Sequence, residues 1–475
     1  MRLLRILGVL TVLFGLFGGT AMAAPAGPPG VWSTDFTLLN LDNAQANIGV
    51  VRYGQWTSSG SPDAGTAIPV QQTGNPTPNT ITPNGSLYYN PSADPNFPPQ
   101  FTGSVVVSSD HRVAATVTLW NNLTGAQYAS DAYAGVNNPA TSVILPIVMA
   151  HLGPWNTRMS IQNAGSAAAN VTITYVGPNA PSAGTVVNLP PNQMAIVDQG
   201  DLPASVQNFN GSAIVTSTQP LAVELDEYKT TGGVLVSYAG IPSTQAGKTI
   251  LLPGFISKGV WVTDFTVVNI DNAPGTVTVN FSGTSKSVTG PIGASGSATG
   301  SVYVGTNGRA TASGWTGQGP VSTDNYYGSA TVTSTTNVVV VYNIANPGGG
   351  PGYYAIGYTG QSSAAATTTV AVPLIENKYS SGWLTTYSVQ SADGTPANLS
   401  MVFSGNKAPN CNPCTFNMTG ATRTFDQSAD GFVPTGFIGG VTITASKPIV
   451  VIADQNLLGG LGDTAAGFPG ITVGP

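Results

Sequence analysis

The chain of 475 residues is short of charge: Lys, Arg, Asp and Glu together make up 7% of it, where an ordinary domain carries about a quarter. It has no Lys/Arg cluster, and its net charge is −6. Nucleic-acid binding and attraction to an anionic membrane therefore both lack an electrostatic basis. Histidine is confined to His111 and His151, and cysteine to Cys411 and Cys414. The cysteine pair has neither a second pair nor a nearby His to complete a tetrahedral zinc site. Two cysteines in one tight turn close only a tiny loop, so stability has to come from packed secondary structure. Apolar runs long enough to span a bilayer are missing as well. Little charge with 41% hydrophobic content is nonetheless not the composition of a disordered chain. It suits all-β domains covered by the abundant Ser, Thr, Asn and Gly.

The first 23 residues read as a signal peptide: Arg2 and Arg5, an apolar run from Leu7 to Phe17, then the small-residue site Ala21-Met22-Ala23. The expectation is a secreted chain starting at Ala24, with net charge −8 and about 450 residues, room for three or four domains. In such a compartment the Cys411–Cys414 pair is expected to be oxidised.

One phrase recurs four times: Trp, Thr at plus two, an aromatic or Met at plus four, an aliphatic at plus six, and Asn or Ser at plus eight. The copies begin at Trp32, Trp155, Trp261 and Trp383. Residues at even offsets are large or apolar, and those between are mostly polar, as Asn156, Arg158, Ser160 and Gln162 show. Period two marks a half-buried strand with the Trp face inward and the polar face in solvent. Turn residues follow at plus ten (Asp42, Gly165, Asp271, Asp393), then a second alternating strand. Later in each copy come an aromatic-x-Gly strand pair, with landmark glycines Gly103, Gly211, Gly328 and Gly439, and a short apolar strand ending in Pro. That strand reads Val143–Pro146, Ile250–Pro253, Val370–Pro373 and Ile471–Pro475 and is expected to close its own repeat.

Trp-to-Gly spacings of 71, 56, 67 and 56 residues pair the first copy with the third and the second with the fourth. Ala180-Pro181 and Asp198-Gln199 return 228 residues later at Ala408-Pro409 and Asp426-Gln427. The expected fold is all-β: four tandem β-sandwiches arranged as a duplicated two-domain unit, ABAB. Its boundaries are 1–23 signal peptide, 24–146, 147–253, 254–373 and 374–475. Propeller blades run about 40–50 residues, shorter than these copies.

The Trp/Thr/aromatic strand and the Gly-Ser hairpins (Gly103-Ser104, Gly211-Ser212) resemble the immunoglobulin-like or fibronectin-type tandem sandwiches of bacterial exported proteins, surface-layer- or adhesin-like. The Cys-Trp-Cys core of antibody domains is absent. What the resemblance implies is an extracellular structural, adhesive or spacer role, with no catalytic residues carried over.

Candidate chemistry is thin. Asp110 beside His111 has no Gly-x-Ser-x-Gly partner motif, and His111 and His151 read as turn and loop residues. Cys411-Asn-Pro-Cys414 lacks the βαβ setting of a redox site and reads as a disulfide staple. Glu224, Asp226 and Glu227 form an acidic cluster. Paired acids can cleave glycosides or bind calcium, but the plainer reading is a solvated strand end. The plus-ten Asp residues and Asp198 and Asp426 read as turn formers. Tyr88-Tyr89, Tyr326-Tyr327 and Tyr353-Tyr354, with Trp56, Trp120 and Trp315, supply aromatics suited to stacking on sugars. One member of each Tyr pair faces outward.

No metal or cofactor is expected. The leading functional expectation is a non-enzymatic cell-surface or extracellular protein, a coat, spacer or adhesive component that self-associates or contacts envelope components. The alternative is a carbohydrate-binding accessory protein whose partners are glycans.

Overall fold

The computed structural model describes residues 9–14, 27–57, 63–98, 101–124, 128–181, 184–203, 205–299, 302–304, 313–346, 354–380, 382–457 and 463–473. Arg2, Arg5, the expected cleavage site Ala21-Met22-Ala23, and Tyr353 lie outside them. Nearly every described element is a β-strand, and no described helix is long and apolar enough to cross a membrane.

The second copy shows how the recurring phrase folds. Its opening strand, Trp155–Asn163, pairs with the C-terminal half of a 21-residue strand, Phe209–Lys229. The N-terminal half of that long strand pairs with Ala169–Val176 on one side and Ala140–Ala150 on the other. The long strand thus passes through two layers. Their apolar faces meet, Val143, Ile173 and Val215 from one against Met159, Ile161 and Leu225 from the other. Copies three and four repeat the plan around Tyr326–Asn346 and Phe437–Leu457. In the first copy the turn at residues 110–112 splits the long strand into Gly103–Ser109 and Val113–Asn121.

The apolar strands ending in Pro join a different neighbour from the one expected. Ala140–Ala150, Gly247–Ser257 and Thr367–Tyr379 each lead the following copy, bonding along its long strand. Hydrogen bonding therefore puts the seams ahead of these strands and not at 146, 253 and 373. Alternation tells which residues face a core, but not whose sheet edge a strand will join. Ile471–Thr472 is a separate element, pairing with its own unit's leading strand as Ile241–Pro242 does in the second unit. In the first unit the leading place is taken by Val9–Phe14, antiparallel to Gly103–Ser109.

The units do not lie in a row. Beyond each long strand is a short axial strand: Ser130–Ala134, Leu235–Ala239, Tyr354–Thr359 and Ala465–Pro469. Each packs against the next, and the fourth packs against the first, so the four units form a closed ring. At the axis Asp131 Oδ2 accepts the amide N–H of Ser237 (2.6 Å) and its Oδ1 that of Gly467 (2.7 Å). Asp463 Oδ1 accepts from Ala355 and Oδ2 from Leu235. Two buried carboxylates therefore tie all four units together. Burial pushes both well above the ordinary carboxylate range, opposed by these amide donors, and Asp131 raises Asp463 further.

Ring closure also explains the polar face of the opening strand. Asn156, Arg158, Ser160 and Gln162 are all buried, Gln162 completely. Their face is not in solvent, as the alternation suggested: Asn156 and Arg158 bond within their own unit, and Gln162 reaches the preceding one. Gln162 Nε2 donates to Ser104 Oγ of the first unit (2.8 Å), and Gln390 Nε2 to Ala330 O of the third. The same plus-seven position holds Leu39, packed with Ala371 and Ile471 of the fourth unit, and Val268, packed with the second unit's core. Seams are thus amide-bonded and apolar by turns.

Candidate functional site

The repeated phrase is mainly structural, and its residues have separable tasks. At plus eight, the Asn40, Asn163 and Asn269 Nδ2 groups each donate to the carbonyl four residues on, all at 2.7 Å. Their Oδ1 atoms accept from the N–H two residues on, which folds the turn. At plus two, Thr157 Oγ1 donates to Met149 O and accepts from Met149 N. Thr263 does the same with Ile256, and Thr385 accepts from Glu376 N. These bonds pin a bulge in each leading strand to the opening strand.

Only one of the four Trp residues is the core plug expected. Trp32 is 2% exposed, its indole N–H donating to Pro28 O. Trp155, Trp261 and Trp383 are half-buried at the seams. Lys229 lies over Trp155 at 4.8 Å, Trp261 stacks on Tyr354 at 6.1 Å, and Trp383 lines a cleft. A strand's first residue lies beside the next unit, where half of an indole stays open.

That cleft lies between the fourth and first units and encloses about 610 Å³. Its walls carry Tyr88, Trp120 and Tyr128 from the first unit and Tyr379 and Trp383 from the fourth, around two carboxylates, Asp35 and Glu376. Asp35, at plus three of the first phrase, accepts the Tyr88 hydroxyl at 2.6 Å. Burial pushes its carboxyl up to about 6, against the favourable Tyr88 and Trp120 donors. Glu376 follows the leading-strand bulge and is buried; Gln455 Nε2 donates to its Oε2 at 2.6 Å. Its carboxyl is pushed up to about 7, by burial first and by Asp35 also. Two acids poised near neutrality among aromatic walls can accept hydrogen bonds from a hydroxyl-rich ligand whose apolar faces stack on the rings.

The same position between the third and fourth units holds a second cleft, about 640 Å³, lined by Trp261, Tyr327 and Asp454. Burial lifts Asp454 to about 6, and it accepts the Thr386 hydroxyl at 2.6 Å. Between the first and second units the corresponding positions hold Arg158 and Asp226, paired at 2.7 Å and both buried.

Other candidates resolve individually. Glu224, Asp226 and Glu227 are not at a solvated strand end; each is at most 4% exposed. Burial and the adjacent Asp226 push Glu224 well up, while burial lifts Glu227 to about 8. All three are interior groups rather than surface ones. His111 faces Asp42 at 3.3 Å beside the Arg112–Asp42 pair, and His151 Nε2 lies 3.1 Å from Leu202 O. Asp198 accepts the Tyr228 hydroxyl, and Asp198 and Asp426 each cap a short helical turn. Cys411 and Cys414 form a disulfide. Of the Tyr pairs, Tyr88 and Tyr327 are the exposed members, one in each cleft, while Trp315 packs edge-on against Phe265. Among the described residues no cluster of three or more His, Cys, Asp or Glu is placed to hold a metal.

Asp35 and Glu376 escaped sequence reasoning. One signal pointed to Asp35: plus three reads Asp35, Arg158, Asp264 and Thr386, three charges at one position in a chain with very few.

No family model matches the chain, and no curated protein matches it in sequence. Among solved structures it is similar to Thermotoga maritima 1070, at 16% identity and TM-score 0.20, over 22% of this chain and 96% of that one. It is also similar to a tetra-tandem repeat from the extending region of a large adhesion protein, at 13% identity and TM-score 0.10, over 97% of both chains. At these scores neither likeness carries an argument.

Proposed function

We propose that this is an exported, non-enzymatic adhesive or surface protein that binds a saccharide in the cleft between its fourth and first units. The observation that carries this reading is the cleft itself, where Trp120, Tyr379, Trp383 and Tyr88 surround Asp35 and Glu376. Stacking of sugar rings on indole and phenol faces supplies affinity, and the carboxylates and Gln455 supply direction. We read the units as immunoglobulin-like sandwiches duplicated as ABAB. The alternation of amide and apolar seams supports that reading. Closure into a ring favours one compact binding body over a spacer with domains strung out at intervals.

Affinity electrophoresis through gels containing soluble polysaccharides tests the proposal. Retardation by at least one polysaccharide is expected, with Trp120→Ala and Trp383→Ala each weakening it by about three- to tenfold, as for a stacking ring worth about 0.5–1.5 kcal/mol. Mobility that no polysaccharide alters would sink the proposal, and release of reducing sugar would overturn its non-enzymatic part. Asp35 and Glu376 accept hydrogen bonds best when ionised. Binding should therefore strengthen as pH rises from 5 to 8, through the values near 6 and 7.

A further inference from the structure

We propose that the first unit carries an acceptor groove for an extended apolar peptide strand, opened when the export leader is removed. In the other three units the N-terminal half of the long strand is flanked on both sides by strands of the same unit. In the first unit Gly103–Ser109 has Ala46–Gly54 on one side and, among the described residues, only Val9–Phe14 on the other. That six-residue segment lies inside the sequence that reads as a signal peptide. Cleavage at Ala23 removes it and leaves a row of unpaired N–H and C=O groups along Gly103–Ser109. Such an open edge is a template for another strand.

Thr34 supplies an independent observation. The equivalent Thr157, Thr263 and Thr385 each hydrogen bond to the backbone of a leading strand. Thr34 is 1% exposed, yet its Oγ1 has no partner. A buried hydroxyl left unpaired costs roughly 1–3 kcal/mol. Among the described residues, no leading-strand backbone group bonds to it as one does in the other three units.

The chain itself states the chemistry of the occupant. Ala140–Ala150, Gly247–Ser257 and Thr367–Tyr379 fill this place in the other units. Each is extended, brings an apolar stretch around a central Pro, and bulges where its backbone meets the Thr. The groove therefore takes a polypeptide segment of that pattern, antiparallel to Gly103–Ser109. Main-chain bonds give affinity and the apolar side chains give selection. Its ligand is peptide, so the groove is independent of the saccharide cleft.

The test uses exported protein ending its processing at Ala23, its N-terminus established by intact mass. Fluorescein-labelled peptides of residues 140–150 and 7–17 and a scrambled 140–150 control are titrated by anisotropy, alongside melting curves. Both native-sequence peptides should bind and raise the melting temperature, and the scrambled one should do neither. Thr34→Val should weaken peptide binding about fivefold, the equivalent of one hydrogen bond, while keeping or raising the peptide-free melting temperature. Native and scrambled peptides behaving alike, or Thr34→Val binding as tightly as the parent, would overturn the proposal. So would an exported chain that still carries residues 9–14, because the groove would then be permanently filled.

Discussion

Asn163 makes three hydrogen bonds at one corner of the second unit: to Ala167 O, to Leu189 O, and from Gly165 N. Asn163→Ala would strand those backbone groups in a buried turn. At roughly 1 kcal/mol per bond, a loss of about 2–4 kcal/mol is expected in urea denaturation. The fourth unit uses Ser391 at this position, whose hydroxyl bonds only to Asp393, so Ser391→Ala should cost about 1 kcal/mol. A cost for Asn163→Ala no larger than that of Ser391→Ala would contradict this division of labour. Period-two spacing made the phrase legible as a strand, and the recurrence of Asn made it legible as a turn. The cleft was not legible, because Asp35, Trp120, Glu376 and Tyr379 share no motif. They meet only because the last unit lies beside the first.

Among the elements, the axial strands matter most for assembly. The residue before each axial aromatic is small: Ala132, Ser237, Gly357 and Gly467. At Gly467 an added Cβ would strike Ile356 and Tyr358 of the third unit. Gly467→Ala should therefore loosen the seam between the third and fourth units, costing about 1–3 kcal/mol by overpacking. Asp131→Ala should cost more, because it leaves the amides of Ser237 and Gly467 buried without acceptors. Hydrogen exchange would show this as faster exchange at those two amides, and unchanged protection there would refute the axial role. Strands could be read in the sequence because alternation reports burial on a face. Which edge each strand joins could not, since Ala140–Ala150 fits an apolar layer equally well before or after a seam. The seam face misled for a related reason. A polar residue satisfied by a neighbouring unit, as Gln162 is by Ser104, has the same sequence signature as one satisfied by water.

At the scale of the molecule, a compact closed ring of about 450 residues has an expected radius of gyration of about 22 Å. Small-angle scattering giving a much larger value would indicate four units in a row. The ring also sets an unusual pH dependence. Burial raises Asp35, Asp198 and Asp454 to about 6, Glu376 to about 7 and Glu227 to about 8. Acids raised in the folded state contribute stability below their unfolded values, and that contribution is lost as pH rises through the folded ones. The melting temperature should therefore be higher at pH 5 than at pH 8, by about 5 °C or more. A melting temperature that climbs from pH 5 to pH 8 would mean these carboxylates are charged in the fold. Closure has one more consequence, which concerns gene order. Leu39 and Ala114 of the first unit pack with Ile471 and Val473 of the fourth, so the sequence is cyclic in space although linear in the chain. A circular permutant that joins the fourth unit to the first and begins ahead of Gly247 should build the same ring, with the cleft between those two units now spanned by a continuous chain.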